Sequence, residues 1–113
     1  SGKVYYDLLD YRAANQVDDV VILRAEQLYP FNHNLLASLL KKYKGYKTLV
    51  WCQEEPQNMG AWTFMFPYLI ELNKGKLPVF AGRAAAASPA PGSLAIHRYE
   101  QQELVQEAFS KLR

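Results

Sequence analysis

Thr48-Leu49-Val50-Trp51-Cys52-Gln53-Glu54-Glu55-Pro56 is the stretch on which the reading of this chain turns. Its first five residues, Thr48 to Cys52, suit a strand with both faces covered, the form strands take in a parallel sheet. The character then changes at once. Gln53, Glu54 and Glu55 follow directly, and Pro56 opens a loop that runs to Gly60. In open parallel sheets ligands collect just beyond the C-terminal ends of the strands, so these polar residues stand where function is expected.

On the N-terminal side, Val20-Val21-Ile22-Leu23 is a second continuous apolar, β-branched run and reads as another strand buried on both faces. Before it, Val4, Tyr5, Leu8 and Leu9 mark one face of a helix that reaches about Ala14. Between the two strands, Asn32 suits a helix N-cap, Leu35, Leu36, Leu39, Leu40 and Tyr43 form an apolar stripe, and Gly45 suits the stop. On the C-terminal side a helix is predicted over 62–72, with Pro67 starting or kinking it. A short strand follows at Leu77 to Ala81, then a loop from Gly82 to Ser93 rich in Ala, Pro, Gly and Ser. The last helix begins near His97, with Leu104, Val105, Ala108, Phe109 and Leu112 as its apolar stripe.

Helix and strand therefore alternate from end to end. This predicts one α/β domain over residues 1–113, a three-layer sandwich with a mostly parallel sheet. A helix at the front is unusual for that architecture. Ser1-Gly2-Lys3 reads as the turn between this helix and a first strand lying upstream, and as a cut point and not a natural start.

Composition narrows the function. Half of the 113 residues are apolar and the net charge is +2, which suits a folded core and gives no electrostatic footprint for nucleic acid. The basic run Lys41-Lys42-Tyr43-Lys44 ends a predicted helix, where cations complement the dipole. No apolar run approaches the ~18 residues of a membrane span, and no signal peptide opens the chain. Cys52 is the single cysteine, which rules out an internal disulfide and a cysteine metal cluster and fits a reducing, cytosol-like compartment.

Few residues invite chemistry. Glu54 and Glu55 are neighbours on an extended segment and point to opposite faces, so an interface or loop-bracing role is favoured over paired acid–base catalysis. His33 and His97 have no ligand-spaced partners for a metal, and Cys52 sits where a thiol behaves as a small apolar group. No catalytic residue is assigned. Ser1-Gly2-Lys3 before a helix is a weak anion-binding candidate, equally well read as an ordinary turn. Lys3, Gln53 and Arg83 are all expected at strand ends on one edge of the sheet, which makes them candidates for a phosphate-bearing effector; the rival reading has Arg83 pairing with Glu54 or Glu55. Glu54, Glu55 and Ser88, the last in the small-residue loop, are interface candidates. Among Tyr5, Tyr6, Tyr11, Tyr29 and Tyr99, some are expected to face a partner.

Taken in order, Ser1-Gly2-Lys3-Val4-Tyr5-Tyr6-Asp7-Leu8, Arg24-Ala25-Glu26-Gln27-Leu28-Tyr29-Pro30-Phe31, Trp51-Cys52-Gln53-Glu54-Glu55-Pro56 with Asn58, Gly60, Ala61 and Trp62, Ala81-Gly82-Arg83 with Ala87-Ser88-Pro89-Ala90 and Gly92, and finally His97 and Gln101-Gln102 form a specific series. The series resembles the C-terminal region of the 2-oxoglutarate dehydrogenase decarboxylase component, a thiamine-dependent, transketolase-like family. Ala25 and Met59 depart from the residues common there. The resemblance implies a transketolase C-terminal-like domain of a large homodimer that decarboxylates 2-oxoglutarate with thiamine diphosphate and Mg²⁺, both held by other domains, so that this piece alone is inactive. It further implies succinyl transfer to a lipoyl group of the dihydrolipoyl succinyltransferase component in the citric acid cycle. A nucleotide or acyl-CoA effector, and a bacterial cytoplasm or mitochondrial matrix, are implied as well. A 2-oxoadipate dehydrogenase, a fused decarboxylase–acyltransferase and a stand-alone α/β interaction module are the alternatives.

Overall fold

The computed structural model describes residues 2–25, 32–43, 45–83 and 94–112. Six elements follow in chain order: α1 (Gly2–Ala14), α2 (His33–Lys42), β1 (Val50–Pro56), α3 (Trp62–Leu72), β2 (Val79–Arg83) and α4 (Leu94–Ser110). The strands β1 and β2 are parallel neighbours, with Val50 opposite Val79, Trp51 opposite Phe80 and Cys52 opposite Ala81; the register shifts between Cys52 and Pro56. The α/β class expected from the sequence is thus the observed one.

Strand parity sorts the side chains. Val50, Cys52 and Ala81 look toward α1 and α4, where they meet Val4, Leu8, Leu104, Val105, Ala108 and Phe109 in one buried cluster. Tyr11 of α1 closes this layer against Phe109, ring to ring at 4.7 Å. On the other face Phe80 meets Trp62 of α3 at 5.2 Å between ring centres, and Trp62 meets Phe66 at 5.0 Å. Met65 and Leu69 are buried within α3, Leu40 within α2, and α2 packs on α3. Gly82 lets this face close: a Cβ there would stand 2.9 Å from the Gln53 carbonyl oxygen and 2.6 Å from the Phe80 ring.

The N-cap of α2 follows its sequence signal. The Asn32 side chain accepts the Leu35 N–H at 2.9 Å at the start of α2. At the far end of α3, buried Asn73 accepts the Tyr46 hydroxyl at 2.8 Å and donates to the Lys76 carbonyl at 3.1 Å. Pro67 lies inside α3. At the outer edge of β2 the Lys111 ammonium donates to the Phe80 carbonyl at 2.6 Å and pairs with Glu107.

Four expectations need correction. Val20 to Leu23 is extended but belongs to no ladder among the described residues. Nor is it buried on both faces: Val20 and Ile22 pack on the core, whereas Val21 is 50% and Leu23 39% exposed. A strand needs a hydrogen-bonded neighbour, and apolar composition alone does not supply one. The strand expected at 48–52 runs from Val50 to Pro56, so Gln53, Glu54 and Glu55 are strand residues and not the loop after it. The strand expected at 77–81 is shifted to Val79–Arg83. The last helix starts three residues before His97, at Leu94. Tyr29, Pro30, Ser88 and the rest of the 84–93 loop lie outside the described residues.

Candidate functional site

The C-terminal ends of β1 and β2 carry a chain of polar side chains on the face shared with α1 and α4. Arg83 ends β2 with its side chain 9% exposed. Its Nε donates to Glu100 Oε1 at 3.2 Å, its Nη2 donates to Gln101 Oε1 at 3.2 Å, and its Nη1 donates to the Glu54 carbonyl. Gln101, 5% exposed, passes the connection on: its Nε2 donates to Asp7 Oδ2 at 2.9 Å and lies 3.5 Å from Glu54 Oε1. Asp7 in turn lies 3.9 Å from the Lys3 ammonium, one helical turn back in α1. Lys3 and Arg83 therefore stand at two ends of one network, joined through Asp7 and Gln101.

Each position has a local reason. Glu54 and Arg83 follow the inward parity of Cys52 and Ala81. Gln101 lies three, four and seven residues before Leu104, Val105 and Ala108, so it shares the buried face of α4. That spacing is the signal by which Gln101 can be found: a polar residue on a core-facing helical position must carry its hydrogen bonds inward. The expected apolar stripe starts at Leu104 and leaves Gln101 out.

Gln53 belongs elsewhere. Its side chain takes the opposite face of the sheet, so the expected trio of Lys3, Gln53 and Arg83 is not brought together. Gln53 Oε1 accepts from Trp51 Nε1 at 2.9 Å and from the Trp62 N–H at 3.0 Å. Its Nε2 faces the carbonyls of Met59 at 2.8 Å, Pro56 at 3.0 Å and Glu55 at 3.2 Å. It thus ties the 56–61 turn and the first residue of α3 to β1. Glu55 is exposed beside Gly60, which takes a φ of +68° in that turn.

An anion approaching Arg83 would meet a guanidinium already engaged by Glu100, Gln101 and the Glu54 carbonyl. Lys3, with its side chain 68% exposed, meets solvent directly. Among the described residues no three His, Cys, Asp or Glu side chains converge to hold a metal ion. Burial pushes the Cys52 thiol up to about 12, away from nucleophilic use at neutral pH. His33 lies 3.9 Å from Glu71 and 6.2 Å from the Tyr68 ring centre, a contact between α2 and α3. No described helix is long and apolar enough to cross a membrane. Of the tyrosines weighed as partner-facing, Tyr6 and Tyr99 are exposed; Arg24 stacks over the Tyr5 and Tyr6 rings at 5.0 and 5.4 Å.

A family model described as 2-oxoglutarate dehydrogenase C-terminal matches residues 1–109. The chain is 48% identical over 114 residues to the 2-oxoglutarate dehydrogenase E1 component of Cupriavidus necator, with 100% of this chain aligned to 12% of that protein. It is 48% identical over 113 residues to the protein of the same name from Rickettsia typhi, covering 96% of this chain and 12% of that one. To that from Haemophilus influenzae it is 45% identical over 117 residues, covering 97% and 12%. The chain thus spans about an eighth of the length of these relatives.

Proposed function

Since the chain belongs to the 2-oxoglutarate dehydrogenase C-terminal family, we propose that it is the C-terminal structural and regulatory domain of a 2-oxoglutarate dehydrogenase E1 component. The parent enzyme decarboxylates 2-oxoglutarate with thiamine diphosphate and Mg²⁺ and passes the succinyl group to a lipoyl group of the succinyltransferase component. The observation that carries this reading is the match over residues 1–109, with 48% identity to an E1 component along the whole chain. The sequence has no glycine-rich phosphate loop. In this reading the cofactor belongs to the preceding domains, and no step of the reaction to this one.

Within the parent this domain braces the dimer and borders the approach to the active site. Glu55 is exposed and available to an interface, while Glu54 turns toward Gln101 and braces the domain itself. The regulatory half of the reading places a nucleotide or acyl-CoA phosphate near Lys3 and Arg83, with Gln53 supporting the neighbouring turn and not the ligand. What supports it is the buried guanidinium at the strand ends, joined to Lys3 through Gln101 and Asp7.

The decisive experiment is steady-state turnover of the full-length protein. Decarboxylation of 2-oxoglutarate that depends on thiamine diphosphate and Mg²⁺, with a higher kcat/KM than for 2-oxoadipate, is expected. No 2-oxoglutarate turnover would refute the reading. Titration of the full-length Lys3→Ala and Arg83→Ala variants with AMP and acetyl-CoA tests the regulatory half. Weakened effector binding in both supports it; unchanged affinity with lowered thermal stability leaves Arg83 a brace only.

A further inference from the structure

The charges of this chain are sorted by position. From residue 27 to 53 the sequence has no Asp or Glu, and from 56 to 99 only Glu71. Lys41, Lys42, Lys44, Lys47, Lys74 and Lys76 fall in those stretches, and Lys3 and Lys111 are the lysines outside them. A small net charge thus conceals one strongly basic region. The fold gathers it at one end of the sheet. The helix α2 ends shortly before β1 and α3 shortly before β2, and the strands are parallel, so both helices finish at the N-terminal ends of the strands. This end lies opposite the Arg83 network. The Tyr46 hydroxyl donates to Asn73 Oδ1 at 2.8 Å, and the Val79 N–H donates to the Leu49 carbonyl at 2.9 Å. These bonds bring the segment that holds Lys47 against the turn that holds Lys74 and Lys76.

Lys41, Lys42, Lys47, Lys74 and Lys76 are all exposed. Among the described residues none of these lysines pairs with a carboxylate, whereas Lys3 meets Asp7 and Lys111 meets Glu107. Glu71, in the last turn of α3, lies 3.9 Å from His33. The helix dipole accounts for Lys41 and Lys42 in the last turn of α2. It does not account for Lys47, Lys74 and Lys76, which stand beyond the helices, where the effect has faded. Lys74 even takes a φ of 59°, a left-handed conformation that costs a lysine more than Gly or Asn. Two apolar side chains stand among these charges. Leu77 is 71% and Tyr43 37% exposed, and the Lys42 ammonium covers the Tyr43 ring at 5.6 Å.

We propose that this lysine-rich end docks an acidic segment of a partner protein, whose Asp and Glu side chains pair with the lysines and whose apolar side chain covers Leu77. Charge complementarity selects the sign of the partner. Leu77 selects its class. An exposed apolar side chain among polar ones suits a protein contact, with its apolar centre and polar rim. A phosphate backbone offers that leucine nothing to pack on, and one leucine is too little for lipid insertion. The site stands apart from the proposed activity and from the network at Arg83.

Fluorescence anisotropy with the full-length protein tests it, the probe being a labelled peptide rich in Glu and Asp with one central Leu. The peptide is expected to bind, more weakly as salt rises, and more tightly than the same peptide with Ser in place of Leu. Lys74→Glu with Lys76→Glu is expected to lower its affinity at least about tenfold, and Leu77→Ser at least about threefold. Thermal stability should hold in both, because the three side chains are exposed. Lys3→Glu, at the other end of the sheet, should leave peptide binding unchanged. Should the charge reversal unfold the protein, Lys74→Gln with Lys76→Gln gives the same reading with a smaller loss. No binding, or binding indifferent to the lysine and leucine changes, overturns the proposal. So does tighter binding of an oligothymidylate or of phosphatidylserine vesicles, which would assign this end to nucleic acid or membrane. Failure of an amine-acetylating reagent to modify Lys74 and Lys76 in the full-length protein also sinks it, since the protein's own chain would then cover this end.

Discussion

Gln53 and Cys52 are chain neighbours with opposite lives. Gln53 satisfies both halves of its amide, with two donors on the oxygen and three carbonyls around the nitrogen. Its truncation leaves buried groups without partners, so Gln53→Ala is expected to cost about 2–4 kcal/mol in urea unfolding. Gln53→Glu should cost at least as much, because it sets a carboxylate oxygen against those three carbonyls. A glutamate variant as stable as the wild type would show that the amide nitrogen matters little. Cys52 tests burial instead. Desolvation raises its thiol from 9.0 to about 12. The unfolded thiol ionises from about pH 9, while the folded one keeps its proton; stability linked to Cys52 is therefore full below pH 9 and is lost as pH rises from there toward 12. The slope is at most about 1.4 kcal/mol per pH unit. Cys52→Val should flatten the decline measured by urea unfolding between pH 9 and 11; identical slopes in the two proteins would disprove the linkage.

The elements that were legible in the sequence are those whose partners lie close along the chain. The helices α1 and α2 and the Asn32 cap needed no distant information, and the structure has them where the pattern puts them, although Leu35 and Tyr43 of the α2 stripe are exposed. The strands were legible in kind and not in extent. Gln53 and Glu54 extend β1 because Gln53 is satisfied by its own turn and Glu54 by Gln101 and Arg83, long-range partners that composition does not display. Val20 to Leu23 has the composition of a strand, yet it pairs in no ladder among the described residues. The site shows the same division. Lys3 and Arg83 could be placed at strand ends from the order of elements, but face parity separates Gln53 from them and the spacing along α4 brings in Gln101. Pro67 offers a test at this scale. It lies inside α3 and is exposed, and it cannot donate to the Thr63 carbonyl one turn back. Pro67→Ala restores that donor and is expected to raise thermal stability by about 1 kcal/mol. A loss of stability would mean that the backbone shape proline imposes at 67 is needed for packing on α2.

At the scale of the whole molecule, the two faces of the sheet are unequal. The α1 and α4 side carries the main core cluster and, at the strand ends, the charged network, whereas the α3 side is closed by rings around Phe80. An isolated domain titrated calorimetrically with thiamine diphosphate and Mg²⁺ should show no micromolar binding; such binding would reassign the cofactor to this domain. The hydrogen bond from Lys111 to the Phe80 carbonyl has a further consequence. Phe80 addresses the side of β2 where no strand pairs among the described residues, and an open strand edge is a template for foreign chains. Lys111 fills one acceptor of that edge and sets a solvated charge beside it, held by Glu107. A charge so placed is expected to oppose edge-to-edge aggregation. Lys111→Met should leave the folded domain intact but make it associate as concentration rises, seen as growing particle mass in light scattering. An unchanged, concentration-independent mass would show that the edge is guarded by other means.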